Sequence, residues 1–430
     1  MHIAQFVHRY PPALGGAEAY TARLCAYLAA CGDDVTVWTT TAVELEEFWR
    51  VPGIRRLRLC TRAMPQAPNT HRYPPLHFPA RRYLLKAASL VPVRPWQCLT
   101  TPCNPVCPQM WRDAGRYAGP LDAVHATAFP YSFPIMCGLR LARRRGVPFF
   151  ITPFLHIGDI DNPNDRTRKQ YTKPHLRWLL RQADGLFVQT RAERDIAVSL
   201  GVRDDRVHLQ GLGVDPAECT GGDRERVRAE WNVECNEVVV GHLANNSEEK
   251  GTCDLLRAAE RLWNAGQRFR VVLAGPEMPN FRAFWEGFAM KQYVTRLGVL
   301  NDEQKRDFYT GIDVFALPSR TDSFGLVLLE AWANAKPNLV YRAGGPGELV
   351  QHERDGLQAK CGDVVELAQQ LARLVTDAEL RHRLGGAGLS RIPTEFAWER
   401  SLSLFRDVVA ACLGCVGRAV LHDEPHPFAR

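Results

Sequence analysis

The chain has 430 residues, 46% hydrophobic and 23% charged, a soluble globular composition that is too long for one ordinary core and excludes a disordered chain. No apolar run approaches the roughly 18–20 residues a membrane span needs. The net charge of +7 is uneven, residues 1–215 holding 28 basic against 17 acidic side chains and the remainder 26 against 30.

The start, "MHIAQFVHRYPP", shows no charged leader and no long apolar core, so no signal peptide is expected. "HIAQFV" predicts a strand, and "YPPALGGAEAY" carries the Gly15-Gly16 turn into the helical pattern "AEAYTARLCAYLAACG". The turn lacks the G-x-G-x-x-G spacing of a dinucleotide site. After the strand "DVTVWTT", residues 51–121 hold 11 basic residues and a single acid, Asp113. The proline-rich part of that stretch, 61–118, reads as long loops with short helices.

Regular alternation then resumes: "LDAVHAT", the helical "FPIMCGLRLARRRG", "VPFFITPFL", "ADGLFVQT" and the helical "RAERDIAVSLG". Gly, Pro and polar residues at 208–225 mark a domain boundary. A second alternation follows, from "EVVVGHLA" through "TCDLLRAAERLWNAG", "FRVVLAGPE", "VTRLGVL", "DVFALPS" and "LVLLEAWANA" to "PNLVYR". Strands alternating with helices predict α/β architecture, two doubly wound parallel sheets in series. The expected domains are 1–215 and 216–394, with a terminal helix over 395–416 and a loose tail from 417.

Thirteen cysteines follow no regular framework. Cys98, Cys103 and Cys107 do not match common zinc spacings, and Cys412/Cys415 form a lone C-x-x-C in a helical stretch, so reduced thiols are the expectation.

The stretch "SRTDSFGLVLLEAW" (319–332) concentrates the chemistry. Asp322 precedes a strand-to-helix corner, and Glu330 lies eight residues on, inside the helix. A helix start offers free N–H groups and the positive end of its dipole to an anion. Gly325 lets a ligand approach the amides of Gly325, Leu326 and Val327, while the two carboxylates accept hydrogen bonds from hydroxyls. A phosphate flanked by hydroxyl-rich groups is a nucleotide-sugar. The competing reading makes Asp322 a helix cap and Glu330 a solvated residue. In "GHLANNSEEKGTCDLL", Lys250 ends the first loop of the second domain, where its charge offsets a diphosphate.

Together "PPALGGAEAYTARLCAYLAACGDDVTV", "ADGLFVQTRAERDIAVSLGV", "SEEKGTCDLLRAA", "DVFALPSRTDSFGLVLLEAWANAKP" and "GDVVELAQQLARLVTD" resemble glycosyltransferase family four, retaining enzymes of GT-B fold. The resemblance implies two facing Rossmann-like domains, an acceptor on the first, a nucleotide-sugar held mainly by the second, and no catalytic metal. It puts the family's paired acids on Asp322, at the transferred sugar, and on Glu330, at the ribose hydroxyls. Ser323, Phe324, Gly325, Leu326 and Val327 then line the sugar and phosphate, with Gly15 and Gly16 opposite. His156, past the strand "FFITPF", falls where the family carries a histidine beside the donor sugar. The segment "EFAWERSLSLFRDVVAACL" resembles the family's helix that crosses back to the first domain.

Two positions depart from the family pattern: Asp322 stands where Glu is usual, and Asn245 where an Arg accompanies the lysine. Of the remaining candidates, His125 reads as structural, His242 as a phosphate donor and Glu348 as a surface helix residue. The expected activity is transfer of a hexosyl group from a nucleotide diphosphate sugar to a glycan, polysaccharide or lipid-linked acceptor. The rivals are a GT-B sugar phosphorylase or epimerase and a degenerate GT-B scaffold that binds without turnover. Nucleic acid is not an expected partner. Region 71–112 mixes Arg81, Arg82, Lys86 and Arg94 with Leu84, Leu85, Leu90, Val91 and Trp96, which suits an anionic membrane surface; a solvated basic face over packed loops is the alternative. The expected location is cytoplasmic, peripheral at the inner membrane face.

Overall fold

The computed structural model describes residues 1–49, 69–234 and 236–419, with backbone only beyond Gly414. The first sheet holds β1 (His2–Phe6), β2 (Asp34–Thr40), β3 (Asn69–Tyr73), β4 (Ala123–Thr127), β5 (Phe149–Thr152), β6 (Gly185–Val188) and β7 (Val207–Leu209). The second holds β8 (Val238–Leu243), β9 (Phe269–Ala274), β10 (Val294–Gly298), β11 (Val314–Leu317), β12 (Asn338–Tyr341) and β13 (Gly356–Ala359). Their orders are β3-β2-β1-β4-β5-β6-β7 and β10-β9-β8-β11-β12-β13. The named strands pair in parallel throughout.

Helices on both faces bury these sheets, and strands such as "GLFV" and "VFAL" are buried at every residue, which is why they read as unbroken apolar runs rather than alternating ones. In each sheet the winding reverses once, between β1 and β4 and between β8 and β11. Ala4 pairs with Val124 and Val240 with Val314 at these reversals. The loops leaving the carboxyl ends of the two strand pairs flank a crevice, the position where doubly wound sheets bind ligands.

The strand β3 corrects the reading of 61–118 as loops with short helices. Its sequence "NTHRY" buries only Tyr73, so this polar edge strand has no apolar run to betray it. The ring of Tyr73 stacks on Trp38 of β2 at 5.8 Å. The helices of the same region are Arg81–Ala88, Arg94–Thr100 and Pro108–Ala114. The part of the stretch before residue 69 lies outside the described residues, as does 420 onward; of the loose tail expected from 417, residues 417–419 instead continue the final helix.

A final helix, Trp398–Ala419, packs on the first domain. Arg406 Nε donates to Asp33 Oδ2 at 2.7 Å, and the buried Phe405 ring lies 4.8 Å from His125 and 4.7 Å from Phe187. The two halves also meet beside the crevice. The Gly344 N–H donates to the Gly158 carbonyl at 2.8 Å, and Asp159 and Ala343 form an antiparallel bridge.

Glu348 is not a free surface residue. Its carboxylate accepts the N–H groups of Arg191 (2.7 Å) and Ala192 (2.8 Å), the first turn of the helix Arg191–Ser199 in the opposite domain. A helix start has unpartnered amides and a positive dipole end, so an acid from across the interface completes it. Spacing within one helix cannot show this.

Candidate active site

Because β8 and β11 are neighbours, the loops after them converge although they are distant in sequence. Lys250 Nζ lies 2.6 Å from Asp322 Oδ1, both side chains largely buried. Gly251 makes the approach possible. Its φ of +76° is left-handed, and a Cβ there would stand 1.9 Å from the Pro318 carbonyl oxygen. Burial disfavours the Asp322 carboxylate, but Lys250 beside it, with His156 and Ser319, outweighs that and holds the carboxyl below its usual range.

His156 faces this pair from the first domain, on the segment following β5. Its ring stacks on Tyr171, centroids 4.6 Å apart and 17° from parallel. Burial, reinforced by the Lys250 cation and only partly offset by Asp322, pushes the imidazole down to about 4. The ring is therefore neutral at pH 7 and offers a hydrogen-bonding nitrogen rather than a positive charge. We expect the His156 ring C–H resonances of the ligand-free protein to stay those of neutral imidazole from pH 8 to pH 5. An NMR titration with a midpoint near 6.5 would contradict this environment.

Gly325, at φ +93°, caps the helix Leu326–Ala333, whose first amides have no partner within the helix. Two contacts fix the loop before it: the Gly345 N–H donates to the Asp322 carbonyl at 3.0 Å, and the buried Phe324 ring meets Phe396 edge-on at 6.4 Å. Ser323, Leu326 and Val327 are half-buried around this helix start. Further up the same helix Glu330 accepts from Lys305 Nζ on Oε1 (2.9 Å) and from the Tyr309 hydroxyl on Oε2 (2.7 Å). Lys305 and Tyr309, one turn apart on one helix face, are partners that the sequence reading missed. Nothing local in "DEQKRDFYTG" points at Glu330.

Asn245 is exposed and brings no charge. The cations on the motif's two carboxylates are Lys250 and Lys305. His242 is not a phosphate donor. It is fully buried, with Nδ1 2.8 Å from the Ala316 carbonyl oxygen and Nε2 2.9 Å from Thr252 Oγ1, so neither nitrogen is left for a ligand. His125 is structural, bonded to Gln5 Oε1 at 2.6 Å and Thr152 Oγ1 at 2.8 Å.

In the first domain Gly15 and Gly16 lie where the loop after β1 enters the helix Gly16–Ala30. A Cβ on Gly15 would fall 2.2 Å from Glu18 Oε2, whereas Gly16 has open space. Glu18 is buried, 2.6 Å from Arg9 Nη2 and 3.3 Å from His8 Nε2, and the His8 ring stacks on Tyr131 at 4.5 Å. This cluster was also missed; His8, Arg9 and Glu18 come from the loop after β1 and the helix it enters, and Tyr131 from the loop after β4, the neighbouring strand. Among the described residues no group of three or more His, Cys, Asp or Glu is placed to hold a metal ion.

Residues 15–213 match the family described as Glycosyl transferase 4-like domain, and residues 223–391 that described as Glycosyl transferases group 1. The D-inositol 3-phosphate glycosyltransferase of Mycobacteroides abscessus is 30% identical over 249 residues, 56% of this chain and 53% of that protein. The chain thus spans about half the length of this curated relative. Among solved structures, sucrose-phosphate synthase from Thermosynechococcus elongatus superposes with a TM-score of 0.71 at 19% identity, covering 95% of this chain and 99% of that one. HepE of Anabaena, solved in complex with UDP-glucose, gives 0.68 at 18% identity, covering 96% and 100%. Two parallel-sheet domains facing across a crevice are the GT-B fold. The chain belongs to the family-four glycosyltransferases, whose two domain models it matches in order along most of its length.

Proposed function

We propose that the protein transfers a hexosyl group from a nucleotide diphosphate sugar to an acceptor hydroxyl, with retention at the anomeric carbon. The observation that carries this reading is the Lys250–Asp322 pair at the open start of a helix bearing Glu330, opposite a neutral His156. The diphosphate sits against the helix start and Lys250, which stabilise it as the C1–O bond breaks and negative charge develops on the leaving oxygen. Glu330, held by Lys305 and Tyr309, takes the ribose hydroxyls, and Asp322 and His156 take the hydroxyls of the transferred sugar. The new C1–O bond forms to the acceptor oxygen, whose proton leaves with the departing diphosphate. HepE, which shares this fold and was solved in complex with UDP-glucose, supports a donor of this class.

Thermal denaturation with UDP-, GDP-, ADP- and dTDP-sugars tests it. A donor at a hundred times its Kd stabilises the folded chain by about 2.7 kcal/mol, so one nucleotide class should raise Tm clearly above the rest. No response to any of them would end the reading. Turnover with that donor should persist in excess EDTA. Loss on chelation, restored by a divalent ion, would show a metal requirement that this scheme does not contain.

A further inference from the structure

The first domain carries an apolar surface that the sugar chemistry does not use. On the helix Arg81–Ala88 and the loop after it, Tyr83 and Leu90 are each 76% exposed, with Leu84, Val91, Val93 and Trp96 exposed beside them. Large apolar side chains exposed together in this way mark an interaction site. The platform beneath them is ordered. Trp96 Nε1 donates to the Ala88 carbonyl at 2.9 Å and Gln97 Nε2 to the Ser89 carbonyl at 3.0 Å, tying the loop to the next helix. Arg81, expected from the sequence among the surface cations, is instead buried, its guanidinium donating to the carbonyls of Leu76, Pro102 and Asn104. Leu85 points inward as well.

What remains outside is two-sided chemistry. Arg82 and Lys86, four residues apart on the helix, are exposed next to Tyr83 and Leu84. No acid lies between Glu47 and Asp113 in the sequence to offset them. The platform is joined to the crevice side of the domain: Asn104 Oδ1 accepts the Phe133 N–H at the start of the helix that follows β4.

We propose that this helix and loop form a docking surface for an anionic lipid bilayer, with Tyr83, Leu84, Leu90, Val91 and Val93 entering the headgroup boundary and Arg82 and Lys86 meeting the lipid phosphates. Apolar side chains on a fixed backbone supply insertion without an ordering cost, and the flanking cations supply selectivity for negative charge. The protein's partner at this face is the membrane itself, whatever sugar the crevice takes.

Co-sedimentation of the full chain with phosphatidylcholine vesicles, with and without phosphatidylglycerol, tests it at low and at physiological ionic strength. Binding should require the anionic lipid. It should fall at least about tenfold in Arg82→Glu/Lys86→Glu and by a similar factor in Tyr83→Ser/Leu84→Ser/Leu90→Ser. All five positions are exposed, so both variants should keep the parental Tm and the donor-induced rise in Tm, which separates loss of the surface from loss of the sugar site. Three outcomes would overturn the proposal. One is equal indifference to both vesicle types. Another is anionic binding untouched by the serine variant, which would be charge attraction without insertion. The third is a dimer in size-exclusion that the serine variant dissolves while vesicles are ignored, which would make the patch a contact between copies of the chain.

Discussion

Lys250→Ala should lower kcat by about 10²–10³-fold with the donor that the thermal screen selects, the largest effect expected of any single substitution in the chain. The size follows from removing a preorganised charge aimed at a leaving group in a site of low dielectric. Truncation also strands the Asp322 carboxylate, now 2.6 Å from its only cation among the described contacts, so part of the cost is an unpaired buried charge. Without Lys250, burial is opposed only by His156 and Ser319, and the Asp322 pKa should rise from the depressed value of the parent. Lys250→Arg keeps the charge and should recover part of the rate. Single-turnover kinetics at saturating donor reads the chemical step directly. A fall below about fivefold, roughly 1 kcal/mol, would take Lys250 out of transition-state stabilisation.

Glu330→Ala should act differently, raising the Kd for donor and for free nucleoside diphosphate by about 10–100-fold. Hydrogen bonds to a charged group contribute about 1.5–3 kcal/mol, and the ribose is common to both ligands. The side chain is half-buried and lines a helix face rather than the core, so the fold should survive. Tyr309→Phe removes one of the two groups that orient Glu330, through its 2.7 Å bond to Oε2, and should give a smaller change in the same direction. Calorimetric titration of the parent and both variants measures these shifts. Unchanged affinity in Glu330→Ala would remove the ribose role, leaving Lys250 and the helix start to account for donor binding.

How much of this was legible in the chain depends on how far apart the partners lie. The alternation of strands and helices, and with it two parallel sheets, follows from local periodicity. Asp322 and Glu330 could be read because one loop and one helix fix their separation, and Lys250-Gly251 because a lysine ends a loop that leaves a strand. Lys305 and Tyr309 could not, since they meet Glu330 only in the folded chain; nor could Tyr171 or the His8–Arg9–Glu18 cluster, whose members are near in sequence but joined by irregular loops with no periodicity to orient them. β3 escaped because an edge strand needs no apolar alternation, and His242 misled because burial, not sequence, decides whether an imidazole is free. Arg81 shows the same limit: beside Arg82 in sequence, it points the other way.

The contacts between the halves beside the crevice are polar: two amides on Glu348, and the backbone bonds around Gly158, Asp159 and Ala343. Water can replace each of these, and a bond of this kind contributes a net 0.5–1.5 kcal/mol or so. Breaking these contacts alone therefore costs on the order of a few kcal/mol. On the opposite side the chain itself holds, where the Val214 N–H donates to the Phe396 carbonyl at 2.9 Å and Gly213 packs against the backbone of Trp398. An opening that broke only the polar contacts would swing about that spine, with Glu348 as a clasp. Under the proposed function, a donor meeting Lys250 on one side and His156 on the other would favour the closed arrangement, and its departure would release it.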